Sequence, residues 1–248
     1  MHTCLNCGHE FNGKFCPECG QRAHIQRLTA KALIDEIVHF FTHIEHTFLR
    51  TSVAFIVKPG VTSLDYVNGK RKKFQKPVSY FLIWAGFYIL LHNFIINHFH
   101  YELVLQKGSQ PAWQTEANIL LRKHFSFFVL PVIFTSSFFI WWVLGRGRFY
   151  YFEVFTLSLY GCGCYFVLLI ISDLILGVIF RVNINHYYVF FWQTLVSFLY
   201  NTWFTVDLFH RLKLKNFVVR ILIASILISA TGYFIFIYAP ALWNWIWG

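Results

Sequence analysis

Cys4 and Cys7 form one Cys-x2-Cys pair near the start of the chain, and Cys16 and Cys19 form a second. Two such pairs supply four soft thiolate ligands on short chelating turns, the donor set that tetrahedral zinc takes in closed structural sites. Gly8 follows the first pair, Gly20 follows the second, and Pro17 stands between the ligands of the second, so each turn carries residues suited to a tight reversal. The spacer 8–15 is expected to form a small hairpin around Asn12-Gly13. The result is a minimal zinc ribbon over residues 1–22, too small to bury a core and dependent on its metal for folding. Disulfide pairing of the same cysteines needs an oxidising compartment. A thioredoxin-like redox site needs a βαβ context that the sequence lacks. With four protein ligands the centre has no open position, so its expected role is structural.

Other chemistry-bearing residues lie further along. His39, His43 and His46 fall at i, i+4 and i+7, so on a helix their imidazoles share a face that either holds a second metal or is simply solvated. Asp173 lies deep in an apolar stretch, where a carboxylate must be neutral, face an aqueous cavity, or be paired, with His92 and Arg181 as candidate partners. Gly69 is followed by Lys70, Arg71, Lys72 and Lys73, directly before another apolar stretch. Such a run attracts anionic lipid headgroups, at about 1 kcal/mol per basic side chain near the surface. Tyr66 and Phe74 are expected at headgroup depth beside it, and Gly69 lets backbone N–H groups approach a phosphate. The same charges also serve as a plain topogenic signal. Gly161-Cys162-Gly163-Cys164 reads as small-residue helix packing, not as reactive thiols.

The elements that must position these residues follow from composition. The chain has 248 residues, 57% hydrophobic, 21% aromatic and only 13% charged, against about a quarter charged in soluble domains. Five stretches reach the length needed to cross a hydrocarbon core: 78–97, 125–144, 154–180, 187–206 and 217–238. The third is too long for an upright span and must tilt, break or extend beyond the bilayer. Residues 1–25 have no apolar run of the signal-peptide kind. Most of the 21 lysines and arginines fall on one side of this arrangement, and Lys107, Arg122, Lys123 and Arg181 fall on the other. That asymmetry predicts a cytoplasmic N-terminus and an outer C-terminus. The net charge of +10 then reflects topology and attraction to anionic lipid, and no nucleic-acid partner is expected.

The expected fold is thus an all-α polytopic membrane protein in four parts. They are the ribbon at 1–22, an amphipathic interfacial helix at 29–57 capped by Thr29, a basic juxtamembrane segment at 58–77 and a five-span domain at 78–248. The helix at 29–57 either lies on the cytoplasmic leaflet or packs under the bundle. Two motifs carry a resemblance. The ribbon (Cys4, Asn6, Cys7, Gly8, Phe15, Cys16, Cys19, Gly20, Gln21) and the stretch from Pro59 through Tyr66, Gly69, Lys70 and Arg71 to Pro77 resemble the bacterial membrane-protein family named domain of unknown function 3667. That resemblance implies a ribbon, a Pro-Gly…Tyr-x-x-Gly-Lys-Arg…Pro stretch and a run of apolar helices, and it implies no reaction. Five spans behind a cytoplasmic N-terminus are also similar, in architecture alone, to Yip-type proteins.

No nucleophile elbow, Walker loop, dinucleotide-binding glycine pattern or HExxH sequence is present. The leading expectation is therefore a membrane adaptor or scaffold of the bacterial inner membrane, recruiting anionic lipid or a cytoplasmic protein, with self-association open. The alternatives are a small transporter or channel built on Asp173, and a lipid-modifying metalloenzyme using His39, His43 and His46.

Overall fold

Prolines and left-handed residues set the element boundaries. The computed structural model describes residues 2–25, 29–31, 47–101, 125–184, 186–212, 216 and 218–228. Helix α1, Phe48–Val57, stops at Lys58, whose φ of −138° and ψ of 62° leave the helical region just before Pro59, as the ring of a following proline demands. Pro59 then opens α2, Pro59–Val67, where its missing N–H costs nothing. The chain reverses through Asn68 and Gly69, the latter at φ +100°, a conformation that glycine adopts without penalty. Lys76 is extended and Pro77 opens α3, Pro77–Phe99, which ends at His100 in the left-handed region.

Four further helices continue the apolar body. Helix α4, Phe125–Ile140, passes into a π-helical turn at Trp141–Gly145. Helix α5, Tyr151–Asp173, is opened by Glu153, whose Oε2 accepts from the Tyr150 N–H at 2.9 Å, and it runs on as π-helix through Leu174–Ile179. Helix α6 spans Tyr187–His210, and an apolar helix follows at Val218–Ile228. These elements fall on the five apolar stretches read from the sequence, with α6 reaching four residues further. Two of them, Pro77–Phe99 and Tyr151–Ile179, are long and apolar enough to cross a membrane. The second has 29 residues, which accounts for the overlong third stretch.

Helix α5 is the axis of the bundle, packing against α1, α3, α4 and α6. Its small residues make this possible. A Cβ placed on Gly163 would lie 2.5 Å from Cε1 of Tyr80, so the ring of α3 rests on bare backbone. Around that contact Phe55 stacks on Tyr160 at 4.2 Å, and Phe204 and Tyr66 close the cluster from α6 and α2. Tyr80 Oη donates to Ser52 Oγ at 3.0 Å, and Tyr160 Oη donates to the carbonyl of Gln75. The polar ends of these buried rings are thereby satisfied.

The basic segment contains a helix, α2, on which the sequence reading was silent. One expectation for this stretch is corrected: Tyr66 and Phe74, expected at headgroup depth, are core residues 5% and 6% exposed. Folding α2 back on the bundle gives both rings a buried aromatic neighbour, which outweighs an amphipathic seat at the membrane surface. Helix α1 packs under the bundle, and its Phe55 is completely buried. It starts after a turn at Thr47, and of the preceding stretch only Thr29 to Lys31 are described, with Ala30 and Lys31 helical.

One contact makes a sharp prediction. The Gly60 N–H donates to Asp207 Oδ2 at 2.7 Å, and a Cβ at Gly60 would lie 2.5 Å from the backbone oxygen of Asp207. Gly60→Ala should therefore lower stability by about 1–3 kcal/mol through overpacking, read as a lower unfolding midpoint in mild detergent. An unchanged midpoint would mean that α2 does not lie against α6.

Candidate metal centre and its docking surface

The N-terminal module is two copies of one turn. Strand β1, His2–Thr3, pairs antiparallel with β2, Glu10–Phe11, in the register His2 to Phe11 and Thr3 to Glu10. Between them the Cys4 N–H donates to His9 O at 2.9 Å and the Gly8 N–H to Cys4 O at 2.9 Å. The second turn repeats this: Cys16 N–H to Gln21 O and Gly20 N–H to Cys16 O, both 2.8 Å, flanked by the Phe15–Arg22 bridge. Gly8 and Gly20 take φ of +80° and +70°, the left-handed values that the reversal needs. The hairpin expected at Asn12-Gly13 is not formed. Each cysteine turn is its own hairpin, because these hydrogen bonds close the reversal at the knuckles and leave residues 12–14 as a link.

The four sulfurs all lie within 4.8 Å of one another, with Cys4 to Cys19 at 3.5 Å and Cys7 to Cys16 at 3.6 Å. A tetrahedron of thiolates around zinc, with Zn–S near 2.3 Å, places sulfurs about 3.8 Å apart. The donor set therefore fits a divalent metal of that kind. Charge points the same way. Burial opposes a Cys4 thiolate, but the backbone N–H groups of Cys7 and Asn6 and hydrogen bonds from Cys19 and Cys7 outweigh it and bring its pKa down to about 6. The His9 N–H favours a Cys7 thiolate, yet burial and the crowding of Cys16, Cys19 and Cys4 push it up to about 12. One thiol ionises readily and the next resists. A cation at the centre resolves that conflict.

The ribbon docks on the basic segment. Gln21 is 5% exposed, and its Oε1 accepts from both the Arg71 N–H, at 3.2 Å, and the Lys72 N–H, at 3.1 Å. Leu5 covers Gly69 so closely that a Cβ there would meet Leu5 Cδ1 at 2.8 Å. Of the four predicted headgroup ligands, Lys70 and Lys73 pair with Asp65 at 2.9 and 2.7 Å. Burial opposes the Asp65 carboxylate, but Lys73 and Lys70 outweigh it and hold its pKa below the ordinary value. Arg71 sets its guanidinium over the Tyr66 ring at 5.5 Å. Lys72 and Lys76 are exposed.

The buried-carboxylate candidate is also assembled. Asp173 is fully buried at the end of α5. Its Oδ2 is 2.7 Å from His92 Nδ1 on α3, and its Oδ1 accepts from Gln193 Nε2 on α6 at 2.8 Å. The expected partner His92 is thus present, whereas Arg181 lays its guanidinium over Phe99 at 4.3 Å. Both carboxylate oxygens are occupied, and the three groups tie three helices together. His39, His43 and His46 lie outside the described residues.

Sequence reasoning missed Gln193 and Asp65 as partners and did not give Gln21 its role. Gln193 had a signal, since a lone amide inside an apolar run needs a buried partner. Asp65 stood five residues before Lys70 with its charge unused. Gln21 was part of the ribbon motif, but nothing local says that its side chain turns toward residue 71.

No curated protein and no solved structure matches the chain. One family model does, over 45–89, a stretch that holds α1, α2, the basic run and the first half of α3 and leaves the ribbon outside. Its description is Protein of unknown function (DUF3667), and the match supports assigning the chain to that family.

Proposed function

We propose that the protein is a membrane adaptor in which a zinc-held ribbon and the adjoining cationic segment form one cytoplasmic surface, directed at anionic lipid headgroups or a cytoplasmic protein partner. The body crosses a bacterial inner membrane five times, with the N-terminus in the cytoplasm and the C-terminus outside. The observation that supports this reading is the Gln21 bridge. A free ribbon on a tether would sample many positions, whereas this one is fastened to the loop that leads into α3. The ribbon and the exposed ammonium groups of Lys72 and Lys76 then act as one patch at the membrane surface. Zinc is the metal because four thiolates at tetrahedral spacing suit it and leave no open position.

Replacing Lys72 and Lys76 with Gln tests the lipid half of this reading. With topology confirmed intact by cysteine labelling near Lys107, enrichment of phosphatidylglycerol around the protein in mixed-lipid discs should weaken by about 2 kcal/mol in total. The wild-type preference should fade at high salt. Unchanged enrichment would reduce the basic run to a topogenic signal.

A transport reading is favoured by one observation: the His92 side chain, at 22% exposed, is the more open end of a pair whose other member is buried. On that reading Asp173→Asn abolishes proton uptake into sealed vesicles while the fold survives. The metalloenzyme reading rests on His39, His43 and His46, and the full occupancy of the thiolate centre by protein ligands gives it no second support.

A further inference from the structure

The way Gln21 is held suggests what the docked ribbon covers. Its carboxamide oxygen receives two consecutive main-chain N–H groups, those of Arg71 and Lys72, at 3.2 and 3.1 Å, the first of them shared with the Gly69 carbonyl at 2.9 Å. Consecutive amides converging on one oxygen are the arrangement by which backbone binds an oxyanion. The surroundings suit an anion better than an amide. Gly69 at φ +100° precedes the pair, the Lys72 side chain passes beside Gly20 with its Cε 3.7 Å from where a Cβ would stand, and the Asp65 carboxylate is already neutralised by Lys70 and Lys73. A neutral carboxamide from another module occupies a place built for negative charge.

What keeps it there is the metal centre. Gln21 follows Cys19 and Gly20, and its carbonyl accepts from the Cys16 N–H at 2.8 Å. Its main chain is thus part of the second ligand turn, and that turn is ordered only as long as the thiolates share a cation. Leu5, which covers Gly69, sits between the ligands of the first turn. These two contacts between ribbon and loop come from the cysteine turns, and Ile25, beyond the second turn, adds its Cδ1 at 3.6 Å from where a Gly69 Cβ would stand.

We propose that the metal-loaded ribbon is a latch over an oxyanion site formed by the Arg71 and Lys72 amides, and that loss of the metal opens this site to a phosphate group, supplied by an anionic lipid headgroup or by free phosphate. This inference rests on the adaptor reading for its place at the membrane surface, while the latch itself needs only the metal centre. The side chains of Lys72 and Lys76 attract anionic lipid at all times. The amides add a direct phosphate contact only when Gln21 leaves.

Amide hydrogen exchange on the full chain in phosphatidylcholine discs tests both parts. Chelation should raise exchange at Lys72 by about tenfold or more, and by less at Arg71, whose N–H keeps the Gly69 carbonyl as acceptor. Gln21→Ala should do the same with its metal content intact, so that collapse of the ribbon is not the cause. Gln21→Glu, which puts a carboxylate oxygen in the same place, should slow exchange below wild type. Protection should return to the stripped protein, and not to the loaded one, on adding inorganic phosphate or discs containing phosphatidylglycerol. Return with the lipid alone identifies a headgroup site, and return with inorganic phosphate identifies a free-anion site. Unchanged exchange at Arg71 and Lys72 while residues 2–22 lose protection would overturn the latch. Release without regained protection from either source would overturn the oxyanion site, and neither result depends on the lipid enrichment that tests the adaptor reading.

Discussion

Asp173→Leu should cost the helix bundle about 3–5 kcal/mol, the largest loss expected of any single substitution in the apolar body. The substitution strands two partners at once. His92 loses the oxygen 2.7 Å from its Nδ1, and the Gln193 amide loses its acceptor at 2.8 Å, each in a setting where an orphaned polar group is expensive. Helices α3 and α6 are then held to the end of α5 by apolar contacts alone. The measurement is an unfolding titration in mild detergent. A triple variant with His92→Phe and Gln193→Leu added should recover much of the loss, because replacing a whole buried network by apolar groups is cheaper than breaking it. If Asp173→Leu leaves stability untouched and removes proton flux instead, the carboxylate serves a pathway and the clasp is wrong.

Cys16→Ser should remove the metal and the order of residues 2–22 together. Cys16 is buried, and its N–H closes the second knuckle on Gln21. A two-stranded sheet of two residues per strand cannot stand without its cation, since domains of this size have too little core. Loss of a structural zinc removes folding free energy of about 10 kcal/mol. The apolar helices should keep their unfolding midpoint. Metal analysis and amide exchange across the N-terminal peptides check both halves, and a metal-free ribbon that stays protected would refute the metal-dependent fold.

How far the sequence anticipated this structure depends on the kind of signal. Apolar stretches and prolines are local, so helices α3 to α6 could be placed within a few residues, and the Cys-x2-Cys spacing located the four-cysteine cluster. His92 could be named as a partner of Asp173 because an intramembrane carboxylate has few candidates. What failed was long-range. Tyr66 and Phe74 looked amphipathic in isolation, and only their packing on Tyr160 of α5 and Phe55 of α1 makes them core. Asn12-Gly13 is a strong turn signal, yet the knuckles took the reversal because hydrogen bonds across each cysteine turn fix it there. Gln21 and Arg71 are fifty residues apart, and no periodicity connects them.

Native mass spectrometry of the full chain, extracted from membranes into mild detergent, tests the central claim most directly because it reads metal and lipid on one molecule. The account predicts about one zinc per chain and retention of phosphatidylglycerol in preference to phosphatidylcholine, a preference that Lys72→Gln with Lys76→Gln reduces while the zinc remains. A chain that carries no metal and retains the two lipids equally would contradict it.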